Sequence, residues 1–97
     1  MLIWQTAQGG AMPTISSFYG IIIYMYWDDH APPHFHATYS EHVAQIELST
    51  GIVIKGYLPP RALAMVRRWA KIHRIELEED WQLCVVKKPP RRIPALP

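Results

Sequence analysis

Two proline pairs, Pro32-Pro33 and Pro59-Pro60, constrain this chain more than any other feature. Proline donates no backbone hydrogen bond and fixes φ, so neither pair can lie inside a central strand or a helix interior. They divide the chain into three blocks of different character. Ser16 to Trp27 is rich in Ile, Tyr and Phe with no polar stripe at helical spacing, and reads as one strand buried on both faces. Asp28-Asp29-His30-Ala31-Pro32-Pro33 must then be a loop. Phe35 to Tyr39 reads as a short strand, and Val43 to Leu48 alternates polar and apolar residues with the period of two of a half-buried strand. Ser49-Thr50-Gly51 supplies a turn into a returning strand over Ile52 to Tyr57. Connections this short predict an antiparallel meander of about four strands.

The second pair stops the sheet and opens a helix, because a proline in the first helical turn gives up an N–H that has no partner there. Leu63, Val66, Ala70, His73, Leu77, Trp81 and Cys84 follow at steps of three and four, with Ala62 and Trp69 bordering that face. One helix over 60–86 would be about 40 Å long. A chain of this length has a radius of gyration of only about 13 Å. Two helices with a bend near Arg74–Glu76 are therefore expected, the acids Glu76, Glu78, Glu79 and Asp80 favouring a new N-terminus. The fold class that results is α+β, a small antiparallel sheet followed by two C-terminal helices packed on one face. The ending KKPPRRIPALP reads as an extended tail.

Ninety-seven residues, 49% of them hydrophobic and 19% charged, suit one domain with one core and exclude disorder throughout. Residues 1–11 show no period and end near Gly9-Gly10, so they are expected to form a flexible extension to a domain over 12–97. The apolar run from Phe18 to Trp27 is half of what a membrane span requires, about twenty residues. No positive segment precedes an apolar stretch, which argues against a signal peptide. A single cysteine, Cys84, excludes an internal disulfide and favours a reducing, cytoplasmic setting.

The chemistry concentrates in the loop. Four of the five histidines lie between positions 30 and 42, three of them in HAPPHFH. His34 and His36 are two apart, so on a strand their rings share one face while Phe35 points to the other. His30 is held nearby by the proline pair, with Asp28 and Asp29 at its entrance. Neutral imidazole ligates Zn²⁺ or iron, which makes His30, His34, His36 and Asp29 the candidate metal ligands. Because histidine titrates near neutrality, His30, His34 and His36 are also the candidate catalytic groups of a hydrolase or nuclease. The bland alternative is a loop whose rings hydrogen-bond backbone, and the sequence alone favours that reading: no cofactor is expected, zinc being the ion the cluster would take. His34-x-His36 followed by Glu41 matches the first metal motif of the cupin barrels by accident, since the flanking glycines and second motif are missing. No serine-nucleophile signature, Gly-rich phosphate loop or Cys-x-x-Cys is present. Cys84, Trp69, Trp81 and the tyrosines of the first block read as core.

Charge is segregated. Residues 1–54 contain four acids and no Lys or Arg, whereas all ten cations lie in 55–97. Arg61, Arg67, Arg68, Lys71 and Arg74 are placed opposite the apolar helix face, where they could meet phosphates or an acidic protein. Few aromatics interleave them, unlike the platforms of single-strand binders.

From Met12 to Leu96 the chain resembles the bacterial domain of unknown function 4160. The residues that carry this are Met12-Pro13-Thr14-Ile15, Phe18-Tyr19-Gly20, Asp29-His30, Pro32-Pro33-His34-Phe35-His36 and Leu58-Pro59-Pro60-Arg61-Ala62-Leu63. Trp69, His73, Glu76-Leu77, Trp81 and Ile93-Pro94-Ala95-Leu96 complete the pattern. Ile75 and Asp80 depart from it, standing where the family tends to have an acid and an amide. The resemblance implies Met12 as a natural start and an ordered strand over Ile93 to Leu96. It also implies an interaction module, the toxin-like member of a toxin–antitoxin-like gene pair. Its implied partner is the product of an adjacent gene carrying domain of unknown function 2442.

Overall fold

A computed structural model describes residues 13–27 and 29–97. The extension expected over residues 1–11 lies outside the described residues, as do Met12 and Asp28. Among the described residues five strands form one antiparallel sheet in the order β1-β2-β3-β4-β5: β1 Thr14–Phe18, β2 Ile21–Tyr24, β3 His34–Tyr39, β4 His42–Glu47 and β5 Val53–Gly56.

The fifth strand corrects the reading of Ser16 to Trp27 as one strand. The chain doubles back at Tyr19-Gly20, whose φ angles of 50° and 81° are those of a type I′ turn, and Phe18 pairs with Ile21 across it. That turn matches the twist of the flanking strands but needs two left-handed residues. Here glycine supplies one and an exposed tyrosine the other. A bulge between Thr14 and Ser16 lets neighbours Ile15 and Ser16 both be buried.

Register places Phe35 opposite Ile46, and Ala37 between Ile23 and Ala44, so these side chains share one face. The helices α1 Pro60–Ile72 and α2 Arg74–Val85 cover that face. Ala62, Val66, Trp69 and Ala70 of α1, and Leu77, Trp81 and Cys84 of α2, join the core. Trp69 is the centre of the packing, not its border: it is fully buried, with ring centroids 5.5 Å from Phe18 and 5.9 Å from Phe35. Leu63, expected in the stripe, is only half-buried. The break between helices falls at His73, one residue before the expected bend, with φ −108° and ψ 29°. The His73 ring donates from Nδ1 to Glu76 at 3.0 Å, which gives the acid cluster its role in opening α2. The radius of gyration is 12.8 Å, as the two-helix argument required.

The C-terminal segment is neither a free tail nor a strand. Arg91 N–H donates to Asp80 at 2.8 Å, Ile93 N–H to the Ile15 carbonyl at 2.7 Å, and Trp69 Nε1–H to the Pro94 carbonyl at 2.8 Å. Ile93 and Leu96 are buried as a consequence. No helix among the described residues is long and apolar enough to cross a membrane.

Candidate metal centre

Alternation along β3 sends Phe35 and Ala37 into the core and leaves His34 and His36 on the opposite face. That face is closed over at the loop end. Tyr24, paired with His36 on β2, stacks on its ring at 5.1 Å, and Tyr26 meets it edge-on at 4.6 Å. Trp81 reaches from α2 to within 5.4 Å of the His34 ring. The side chains of His34 and His36 are therefore only 1% and 7% exposed.

The loop then delivers a carboxylate. Asp29, 14% exposed, places Oδ2 3.0 Å from His34 Nε2 and 3.3 Å from His36 Nε2. Its Oδ1 accepts the His30 backbone N–H at 2.9 Å. Burial by itself would raise the Asp29 carboxyl. The His36 N–H, the His30 backbone N–H and the adjacent imidazoles outweigh it and hold the group below its ordinary range. Burial acts the other way on His36 and, with the charge of His34, lowers its ring against the raising effect of Asp29, which favours the neutral form.

The protonation of His34 follows from a neighbour. Its Nδ1 lies 2.7 Å from the Pro32 carbonyl, which can only accept, so Nδ1 carries the proton. In the neutral ring Nε2 then presents a lone pair, and this buried nitrogen makes no hydrogen bond among the described residues. An imidazolium–carboxylate pair would also close to 3.0 Å, but it would align an N–H with Oδ2, and the observed approach is out of line. An orphaned lone pair beside a carboxylate is costly unless a cation sits between them. Asp29, His34 and His36 bring one ligand atom each to within 4.8 Å of one another.

Of the four expected ligands, three thus converge, and His30 stays at the rim. It is 85% exposed, with Nδ1 3.1 Å from Asp29 Oδ1. Sequence reasoning assigned Tyr24 and Trp81 to the core without seeing that they wall the histidines. It also missed Asp80, buried on α2 with Oδ1 bound to Arg91 N–H and Oδ2 without a partner among the described residues. Burial pushes the Asp80 carboxyl up to about 6 against the lowering effect of Arg91, with Glu79 and Glu76 adding to the rise. Burial, then the charges of Asp80 and Asp29, push the Cys84 thiol up to about 11, which makes it unreactive.

The five helix cations do not form one patch. Arg67, Lys71 and Arg74 line a cleft against the Ser49-Thr50-Gly51 turn, whereas Arg61 and Arg68 stand outside it. Arg67 Nε donates to the Gly51 carbonyl at 2.8 Å, and Arg74 Nε pairs with Glu78 at 3.1 Å.

A family model described as "Domain of unknown function (DUF4160)" matches residues 20–82. The chain belongs to the DUF4160 family. The match contains the histidine loop, the sheet from the turn of the first hairpin onward and both helices up to Gln82. The resembling segments before Gly20 and after Gln82 lie outside it. Neither a curated protein nor a solved structure matches the chain.

Proposed function

We propose that this DUF4160 domain binds a divalent transition metal, Zn²⁺ in the first place, through Asp29, His34 and His36. The observation that carries the reading is the orphaned His34 Nε2 with its opposite nitrogen donated to a backbone carbonyl. Metal-bound histidines are oriented by that kind of outer hydrogen bond. The spacing fits as well. Two bonds of about 2.1 Å at the tetrahedral angle span about 3.4 Å, close to the 3.0 Å and 3.3 Å that separate Asp29 Oδ2 from the two imidazole nitrogens. His36 turns Nε2–H toward Asp29, and would hold a metal through Nε2 as its Nδ1–H tautomer. His30 stands at the rim of the site, with Nδ1 3.1 Å from Asp29 Oδ1.

Burial of the ligands favours a held ion that fixes the loop onto β3 over an open hydrolytic centre. Calorimetric titration of zinc at neutral pH tests this. The wild type takes up one equivalent, and a His34→Ala, His36→Ala double variant takes up none. Equal weak uptake by both proteins makes the histidines a structural cluster.

A second reading, the toxin-like interaction module implied by the resemblance, is supported by the exposure of Arg61, Arg68 and Lys71 on α1, three cations available to an acidic partner. Co-expression with the adjacent gene product, scored for complex formation and for growth arrest without it, tests that reading.

A further inference from the structure

We infer that the cleft between the Ser49-Thr50-Gly51 turn and α1 binds a phosphoryl oxyanion, independently of the metal centre. Arg67 and Lys71 are four residues apart on α1 and share one side of it, and Arg74, the first residue of α2 beyond the break at His73, lines the same cleft. The turn faces these cations across a cavity of about 300 Å³. Arg67 spends Nε on the Gly51 carbonyl, which fixes the guanidinium plane at the turn and leaves its two terminal amino groups for a ligand. Arg74 Nε donates to the Glu78 carboxylate at 3.1 Å, an ion pair that offsets part of its charge. Lys71, between them, has no carboxylate partner among the described residues.

The turn contributes a hydroxyl. Thr50 is committed, donating to Glu47 at 2.7 Å and accepting the Ile52 N–H at 3.1 Å. Ser49 lines the same cleft without a hydrogen-bond partner among the described residues, so its O–H can donate. Arg67 and Lys71, neither paired with a carboxylate among the described residues, repel each other, and an anion in the cleft relieves that repulsion. A carboxylate would satisfy one guanidinium fork. Two uncompensated cations, the partly compensated Arg74 and a hydroxyl around one cavity match the charge and the several acceptor oxygens of a phosphate. The ligand chemistry is the phosphoryl group, whether it comes as free phosphate or within a polynucleotide backbone. Contacts this exposed are screened by salt and bind weakly.

The test titrates inorganic phosphate into the full chain while following backbone amide signals, with sodium chloride at equal ionic strength as control. Phosphate is expected to shift Ser49 and Gly51 saturably. Lys71→Gln should weaken the effect about fivefold, and Lys71→Arg should restore it. A single-stranded RNA oligonucleotide, followed by fluorescence anisotropy, separates the sources. Tighter binding than free phosphate, with a shallower salt dependence in Lys71→Gln, assigns the site to a polynucleotide. Phosphate binding without RNA binding assigns it to a small anion. Equal shifts with chloride, or identical titrations of wild type and Lys71→Gln, overturn the inference.

Discussion

Replacing Asp80 by asparagine removes a buried charge while keeping its shape. Asp80 is 1% exposed, and its carboxyl lies up at about 6 because burial disfavours the ionised form. Displacement from 3.8 to about 6 corresponds to about 3 kcal/mol borne by the folded state when the group is ionised at neutral pH. Asparagine retains an oxygen to accept the Arg91 N–H. Its amide NH₂ replaces the unpartnered Oδ2 and costs about 1–3 kcal/mol if it too lacks a partner. The net gain at pH 7.5 is about 1 kcal/mol.

The pH dependence is more decisive. A carboxyl raised in the folded state stabilises it fully below the unfolded value of 3.8 and loses that contribution as pH rises through about 6. Between pH 7.5 and pH 5 the wild type should therefore gain about 1.4 kcal/mol on Asp80→Asn. Contributions from His36 and Asp29, whose folded values are lowered, are common to both proteins and cancel in the difference. In thermal melts the change amounts to about 5–10 °C for a domain of this size. A gap between the two proteins that is the same at pH 5 and pH 7.5 would refute the reasoning.

Trp69→Ala should destabilise the domain by about 3–5 kcal/mol in urea titration, since it empties the space between Phe18 and Phe35. It also frees the Pro94 carbonyl that pins the C-terminal segment. A variant with an unchanged midpoint would mean the helix is packed in another phase. Gly56→Ala should cost more than about 2 kcal/mol, because φ there is +85° and the added Cβ would fall 2.1 Å from the Val43 carbonyl oxygen. Near-wild-type stability of that variant would show that β5 lies farther from β4.

What the sequence made legible was whatever period and proline chemistry encode directly. The alternation over Val43 to Leu48 gives β4 to within a residue at each end, and Pro59-Pro60 marks the start of α1. The Tyr19-Gly20 hairpin escaped because both flanks are apolar and its first left-handed residue is a tyrosine, not the asparagine or aspartate that signals such turns. Asp80 was counted with the exposed acids because nothing local shows that Arg91, eleven residues on, returns to it. At the candidate metal centre, spacing placed His34 and His36 on one face, but their closure by Tyr24, Tyr26 and Trp81 depends on three separate elements. The tautomer of His34 was out of reach of sequence altogether, since it is set by the carbonyl of Pro32 folding back on the ring.

The protonation of that ring is also where the account is most exposed to test. A two-bond ¹H–¹⁵N spectrum of the histidine side chains, recorded at neutral pH before and after one equivalent of Zn²⁺, reads each nitrogen separately. Without metal, His34 should show a protonated Nδ1 and a bare Nε2, with His36 also neutral. With metal, Nε2 of both residues should move together to the position of a ligated nitrogen, and the His73 signals should stay where they were. An imidazolium at His34 before zinc, or no change at either Nε2 after it, would contradict the assignment of Asp29, His34 and His36 as a metal centre.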